Sequence, residues 1–329
     1  RSPYTQVLLM KLKSYLCIST LIAISLNLSA CFERPKSHTS EKPSNTIERM
    51  LDGLPPKYSA KDCAPVVLME GIPPQIQQAA LNNNTRNLCF EEFALKHSGI
   101  SKGPIWVAEY LTPEKVAKKV KRQGEFHAET RLPAAARAEL GDYRGSGYDR
   151  GHLAPSGNMS TKSAQQDSFS LANMVPQNPK NNQQAWRNIE EAVREIVQNS
   201  NEPVYLITGV AFLNAKVATI GANKVFVPSH LYKAVYQPIS GVIGAYCIDN
   251  TASAQAQIIS VCDLESKTGV NVFPTLSKGE RRQKYALPTT GAAVDKRGNI
   301  ANLGRDAANQ CSNKLSAAEA AKLATSFSH

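Results

Sequence analysis

The chain has 329 residues, 42% of them hydrophobic, and 38 Lys and Arg against 27 Asp and Glu give it a formal net charge of +11. That composition is too apolar for a disordered polyelectrolyte and supplies a substantial core, in one large domain or two small ones with tails. The positive field concentrates polyanions such as nucleic acid or acidic membrane surfaces, although charge alone serves solubility equally well.

In chain order, residues 1–31 contain no acidic side chain, and Met10-Lys11-Leu12-Lys13 precedes a 15-residue apolar run from Leu16 to Ala30. The run is shorter than the ~20 residues that span a bilayer. A basic start, a short apolar stretch and small residues before a break predict an export signal, with Met10 as the natural start and Arg1–Leu9 as upstream translation. Leu28-Ser29-Ala30-Cys31 resembles the bacterial lipobox, whose Cys is acylated after cleavage; the alternative is an ordinary cleavage site with an incidental cysteine. The expectation is an exported bacterial protein, either periplasmic and membrane-anchored through a lipidated Cys31 or extracellular. Without this segment 35 basic residues face 27 acidic ones, a net charge of +8.

Residues 32–60 are polar and rich in Pro, Ser and Lys, the composition of a flexible tether. A folded domain is expected over 61–288, followed by a C-terminal tail at 289–329. Pro104 to Leu111 predicts a buried strand between Gly103 and Pro113, and the basic stretch Lys115 to Arg122 is helix-compatible. Asn173-Met174-Val175-Pro176-Gln177 reads as a polar loop. From Gln183 to Gln198, Ala185, Ile189, Ala192, Val193, Ile196 and Val197 recur at three- and four-residue spacings, predicting an amphipathic helix. Val204 to Val210, Val225 to Tyr236 and Val242 to Ile248 read as strands, the last two joined by a turn at Pro238 to Gly241. Ser316 to Ser326 predicts a short Ala-rich helix. The layout is α+β, with mostly antiparallel strands.

No internal repeat, Walker loop or dinucleotide fingerprint is present, and the lack of a Cys-x-x-Cys gives a zinc site little support. Five of the seven cysteines lie outside the export signal. In an oxidising compartment they suggest disulfides, and sequence proximity pairs Cys63 with Cys89 and Cys247 with Cys262, leaving Cys311 odd.

The chemistry-bearing segment is Gly145-Ser146-Gly147-Tyr148-Asp149-Arg150-Gly151-His152-Leu153-Ala154-Pro155. Glycines permit a tight turn and close approach of a bulky ligand. Histidine accepts a proton near neutral pH, and the neighbouring arginine is a bidentate donor suited to phosphate. His38, His97, His127, His230 and His329 read as structural. Thirty positions after His152 comes Asn182, followed by Trp186 and Glu190 at i+4 and i+8 on one helical face. On helix logic alone Asn182 is an N-cap, and Glu190 with Arg194 is an i,i+4 ion pair worth about 0.3–0.5 kcal/mol.

Taken together, Tyr148 to Pro155, Asn173 to Gln177 and the Asn182–Trp186–Glu190 helix resemble the DNA/RNA non-specific endonucleases, which are ββα-metal, or His-Me finger, nucleases. The likeness extends over about residues 63–275. It implies a central, mostly antiparallel sheet flanked by helices, and an Mg²⁺-dependent hydrolase of DNA and RNA leaving 5′-phosphates. By the same resemblance His152 is the general base and Asn182 the single protein ligand of a hydrated Mg²⁺, which Mn²⁺ can replace. Glu190 fixes waters around that ion. Arg150 and Arg122 contact phosphate, Arg194 is a further helix arginine at the substrate, and Asn173 is an active-site asparagine. Asp149 is expected to shape the turn. Asn158 departs from the pattern, standing where relatives often carry Asp, and the chain beyond about Pro288 has no counterpart. The competing reading is a non-catalytic nucleic-acid-binding surface lipoprotein; a homodimer is left open.

Overall fold

The computed structural model describes residues 67–214, 216–308 and 315–328. The export signal, the lipidation expected at Cys31, the tether and Cys63 lie outside the described residues. All described residues fall within one compact unit, Pro43–His329.

The elements that position the site are, in chain order, β1 (Thr85–Cys89), β2 (Phe93–Ser98), β3 (Gly103–Leu111), α1 (Pro113–Ala117), β4 (Asp149–His152), α2 (Lys162–Ser168), β5 (Met174–Gln177) and α3 (Arg187–Ser200). They continue with β6 (Val204–Ala211), β7 (His230–Tyr236), β8 (Ile243–Asp249), β9 (Gln257–Ile259), α4 (Val261–Thr268), β10 (Gln283–Tyr285), β11 (Asn302–Arg305) and α5 (Ala317–Ser326).

Seven strands form one sheet in the order β9-β8-β7-β6-β3-β2-β1. Every neighbouring pair is antiparallel. The central strands are apolar along nearly their whole length because both faces are covered; in β3 only Tyr110 is more than slightly exposed. Helix α3 carries apolar side chains on two sides. Ile189, Val193 and Val197 join the main core with Leu206 and Val235 of the sheet. Ala192 and Ile196 instead pack with Val294, from the segment between β10 and β11. Part of the stretch expected as a tail therefore lies against this helix, where Asn199 Nδ2 donates to the Asp295 carbonyl at 3.1 Å.

Several expectations need correction. Helix α1 ends at Ala117, so Lys118 to Arg122 leave it as an irregular segment. Residues 225–236 are two strands rather than one: Val225–Val227 pairs with Ala218–Ile220, and β7 begins only after Pro228, which cannot donate to a ladder. The expected loop at 174–177 is strand β5, buried throughout. Its polar Gln177 suggested a loop, but β4 supplies a ladder for this segment and Gln177 Nε2 is hydrogen-bonded to Asn181. Cys247 is a free thiol, so the Cys247–Cys262 pair does not form; Cys247 lies in a sheet strand whose ladder partner is Gln257, while Cys262 is on α4. Cys89 and Cys262 are each held in a disulfide.

Candidate active site

The core of the site is a two-stranded ribbon followed by a helix. Strands β4 and β5 run antiparallel with Asp149 opposite Gln177, Gly151 opposite Val175 and His152 opposite Met174. Alternation along β4 puts Arg150 and His152 on one side and Asp149 and Gly151 on the other. On the first side the Arg150 guanidinium lies 4.2 Å from the centroid of the Phe126 ring. The His152 ring meets Phe169 edge-on at 5.0 Å and Phe126 at 5.6 Å. On the second side Gln177 lies across Gly151, and a Cβ at position 151 would sit 2.1 Å from Gln177 Oε1. That contact is the physical reason for glycine before the histidine.

Gln177 also reaches forward. Its Nε2 donates to Asn181 Oδ1 at 2.8 Å, and Asn181 Nδ2 donates to the Asp249 carbonyl at 2.6 Å. The helix itself begins earlier than expected. Asn178 caps it by accepting from the Lys180 amide at 3.1 Å, and Pro179 occupies its first turn, where a missing N–H costs nothing. Asn182 is therefore not the N-cap. It lies in a wide π-turn, Asn181–Trp186, that leads into α3; such turns concentrate at functional sites because they re-aim side chains. The Asn-Pro pair at 178–179 was the signal in the sequence for this start.

Asn182 Nδ2 donates to Asp149 Oδ2 at 2.9 Å, and Gln183 Nε2 donates to the same oxygen at 2.9 Å. A carboxylate can only accept, so this contact orients the amide and turns Asn182 Oδ1 away from Asp149. Asp149 thus aims Asn182, a larger part than shaping the turn.

These groups open onto a cleft of about 1040 Å³. It brings together His152, Asn182, Glu190, Arg122, Arg150 and Arg194 from the expected set. Arg144, Tyr148, Gln183 and Arg187 also line it, and sequence reasoning did not single them out. Arg187 follows Trp186 of the Asn182–Trp186–Glu190 pattern, and Arg144 immediately precedes the glycine turn; those neighbourhoods were the available signal. Asn173 is not in the cleft. Fully buried, it donates to the Ala154 and Ser168 carbonyls at 2.8 and 2.9 Å and accepts from the Ala154 amide at 2.9 Å, so its amide is committed to bracing the backbone beyond His152.

Burial, reinforced by the Arg122 charge, pushes the His152 imidazole down to about 3. The ring is neutral at pH 7, with Nε2 buried and without a partner among the described residues. Burial pushes the Glu190 carboxyl up to about 7, opposed by Lys233 and Arg194 and assisted by Glu109 and Glu191. Beneath the floor lies an unusual ammonium: Lys233 is 1% exposed, donates to Thr208 Oγ1 at 2.5 Å and stands 5.4 Å from the Trp186 ring centroid. Burial lowers its pKa, while Glu109 and Glu190 oppose that shift.

Asn158 links the buried Glu109 to the cleft. It donates to Glu109 Oε1 at 2.9 Å and accepts from Arg194 Nη1 at 3.1 Å. An Asp at 158 would place two carboxylates in contact, so a neutral amide suits this floor. Arg194 is hydrogen-bonded here rather than to Glu190, and the expected i,i+4 ion pair is absent among the described residues.

No cluster of three His, Cys, Asp or Glu side chains able to hold a metal occurs among the described residues. Oxygen-bearing side chains on the cleft wall include Asn182, Glu190, Asp149 and Glu191. An all-oxygen set of this kind fits a hard cation such as Mg²⁺, which keeps most of its waters.

The sequence matches the family described as DNA/RNA non-specific endonuclease over residues 73–279. It is 32% identical over 210 residues to mitochondrial nuclease EXOG of Danio rerio, covering 57% of this chain and 61% of that protein. It is 31% identical over 205 residues to mitochondrial endonuclease G of Homo sapiens, covering 56% and 69%. A nuclease of Nostoc sp. is 31% identical over 242 residues, covering 68% and 86%. The chain thus spans about three fifths of the Danio rerio relative's length. Among solved structures, a chain from a crystal structure of the EndoG/EndoGI complex superposes with a TM-score of 0.58 at 26% identity, over 69% of this chain and 96% of that one. With the family pattern spanning the ribbon, the π-turn and the cleft-lining helix, this chain belongs to the DNA/RNA non-specific endonuclease family.

Proposed function

We propose that the protein is an exported endonuclease that hydrolyses phosphodiester bonds of DNA and RNA without sequence preference, leaving 5′-phosphate ends. The observation that carries the reading is the conjunction of a neutral His152 with an Asn182 oxygen aimed by Asp149, in one arginine-lined cleft.

With Nε2 sealed below the surface, Nδ1 of His152 is the nitrogen that takes a proton from a water in the cleft. A pKa near 3 makes the imidazole a weak base in the empty cleft. An incoming phosphodiester anion offsets the Arg122 field and raises it toward the working range. Arg150 and Arg122 bind the phosphate and gain strength as charge builds on its oxygens. Their rings, Phe126 and Phe169, keep both guanidinium groups in place beside the histidine. Asn182 Oδ1 would hold a hydrated Mg²⁺, with Mn²⁺ as a substitute, and Glu190 would order its waters. When bound, such an ion supplies charge stabilisation at the non-bridging and leaving oxygens. Because water attacks, no ribose hydroxyl is required, which supports action on both DNA and RNA. Contacts to phosphate carry no base information. Export and membrane attachment through Cys31 rest on the sequence of residues 10–31 alone.

The test is digestion of plasmid DNA and of RNA with Mg²⁺ or EDTA, beside His152→Ala. Loss of the base is expected to lower turnover about 10²–10⁴-fold with nucleic-acid binding retained. Equal turnover by the variant refutes the base assignment. Absence of cleavage by the oxidised wild-type protein with any divalent metal favours a binding protein instead.

A further inference from the structure

Of the basic run that follows α1, the three lysines have no part in the site described above. Lys118, Lys119, Lys121 and Arg122 are all exposed, and only Arg122 lines the cleft. Among the described residues none of the three lysines belongs to an ion pair. A solvated lysine run is normally mobile, but this one is pinned to the catalytic floor at three places. Gln165 of α2, 1% exposed, accepts from the Gln123 amide at 2.8 Å and donates to the Val120 carbonyl at 3.3 Å. Gly124 is pressed against Phe169 so closely that a Cβ there would lie 2.1 Å from the ring. Arg122 lies 5.1 Å from the centroid of the same Phe169 ring whose edge faces His152. Within the run, Lys119 holds φ at 45°, a left-handed conformation that costs a side-chain-bearing residue about 1–2 kcal/mol. A glycine or asparagine would adopt it more cheaply, yet the position carries a positive charge.

We propose that Lys118, Lys119 and Lys121 form a rigid ledge that binds backbone phosphates of the same nucleic-acid strand beyond the cleft. The ledge makes the protein favour polymers over short oligonucleotides. It rests on the nuclease reading for its substrate class. Four residue steps from Lys118 to Arg122 span at most about 14 Å, and the helical Lys118 and left-handed Lys119 shorten that, a reach within about four phosphates of one strand at about 3.4 Å of axial rise each. Three lysine contacts release about three counterions' worth of salt dependence, a contribution of about 2–3 to the slope of log K against log salt.

The experiment measures binding of a labelled DNA strand of about 30 nucleotides and one of about 6 in EDTA, between about 50 and 200 mM salt. It compares the wild-type full chain with the Lys118→Ala/Lys119→Ala/Lys121→Ala variant. A control, Lys278→Ala/Lys296→Ala/Lys322→Ala, removes the same charge from exposed positions outside the cleft. The ledge variant is expected to lose about 2–3 from the slope on the long strand. Its affinity ratio to wild type then changes about 16–64-fold across that salt range. The deficit shrinks on the short strand, and the control keeps the wild-type slope. An unchanged slope in the ledge variant, or an equal loss in the control, overturns the ledge. Thermal melting accompanies each variant; because all three lysines are exposed, the wild-type melting temperature is expected. Binding and cleavage are read separately. Ledge-dependent binding without cleavage in Mg²⁺ keeps the ledge and removes the nuclease reading, while cleavage with an unaltered slope does the reverse.

Discussion

Gly151→Ala is the smallest change that tests the coupling of the histidine strand to the turn that carries Asn182. The added Cβ would lie 2.1 Å from Gln177 Oε1, 2.6 Å from Gln177 Cβ and 3.0 Å from Gln177 Cδ. A clash with the amide end alone would be relieved by a rotamer change. The contact with Cβ, one bond from the backbone, is not, so β4 and β5 must separate. Overpacking of this kind costs about 1–3 kcal/mol. Displacing Gln177 also breaks its hydrogen bond to Asn181, worth about 0.5–1.5 kcal/mol. The sum, about 1.5–4.5 kcal/mol, corresponds to a fall of roughly 3–18 °C in Tm at about 2–4 °C per kcal/mol. The effect on turnover is larger than stability alone implies, because Asn181 precedes Asn182 and a misplacement of about 1 Å in a reacting array costs about 10²-fold. The assays are thermal unfolding and initial rates of plasmid cleavage at saturating Mg²⁺. A second variant, Gly151→Ala/Gln177→Ala, removes the obstruction and the tether together; it is expected to regain Tm while remaining slow. A Gly151→Ala protein with wild-type Tm and turnover refutes the reasoning.

Other outcomes follow from the same geometry. Asp149→Ala frees the Asn182 amide to rotate, and the Mg²⁺ concentration for half-maximal cleavage is expected to rise about 10–100-fold, read from a metal titration; an unchanged midpoint contradicts the aiming role. Lys233→Met leaves Glu109 buried without its compensating charge and is expected to cost about 3–5 kcal/mol in urea unfolding, whereas a loss under 1 kcal/mol argues that Glu109 is protonated already. Acid weakens the fold through its buried imidazoles: burial pushes His97 down to about 4 and His152 to about 3. Below pH 6.5 the unfolded chain therefore binds protons that the folded one refuses, and stability falls as pH drops from about 6.5 toward 4, by up to about 1.4 kcal/mol per pH unit for each group. Urea midpoints at pH 7, 6 and 5 check this, and a flat profile rejects it.

The sequence by itself determined the family and the class of fold, and it singled out side chains that the structure brings into one cleft. Apolar runs at 104–111 and 204–210 became adjacent strands β3 and β6, because a strand covered on both faces is legible as continuous hydrophobicity. The spacing of Ile189, Val193 and Val197 announced α3 for the corresponding reason, an apolar stripe at helical period that faces the main core. His152, Asn182 and Glu190 were readable from a short motif and its distance to a helix. What local pattern does not encode was decided by tertiary contacts. Gln177 looks like a loop residue until Asn181 and Gly151 are placed around it, and β5 forms because β4 supplies its ladder. Asn182 looks like a helix cap until Asn178 takes that position and Asp149 takes the amide. Asn173 passes for a cleft residue until its amide is seen bonded to Ala154 and Ser168. Proximity in sequence paired Cys247 with Cys262, yet one belongs to the sheet and the other to a helix. The deciding partners Asp149 and Ala154 lie 33 and 19 residues from the amides they meet. Periodicity reports which face of an element is buried, but only the folded chain determines which polar group a buried side chain meets.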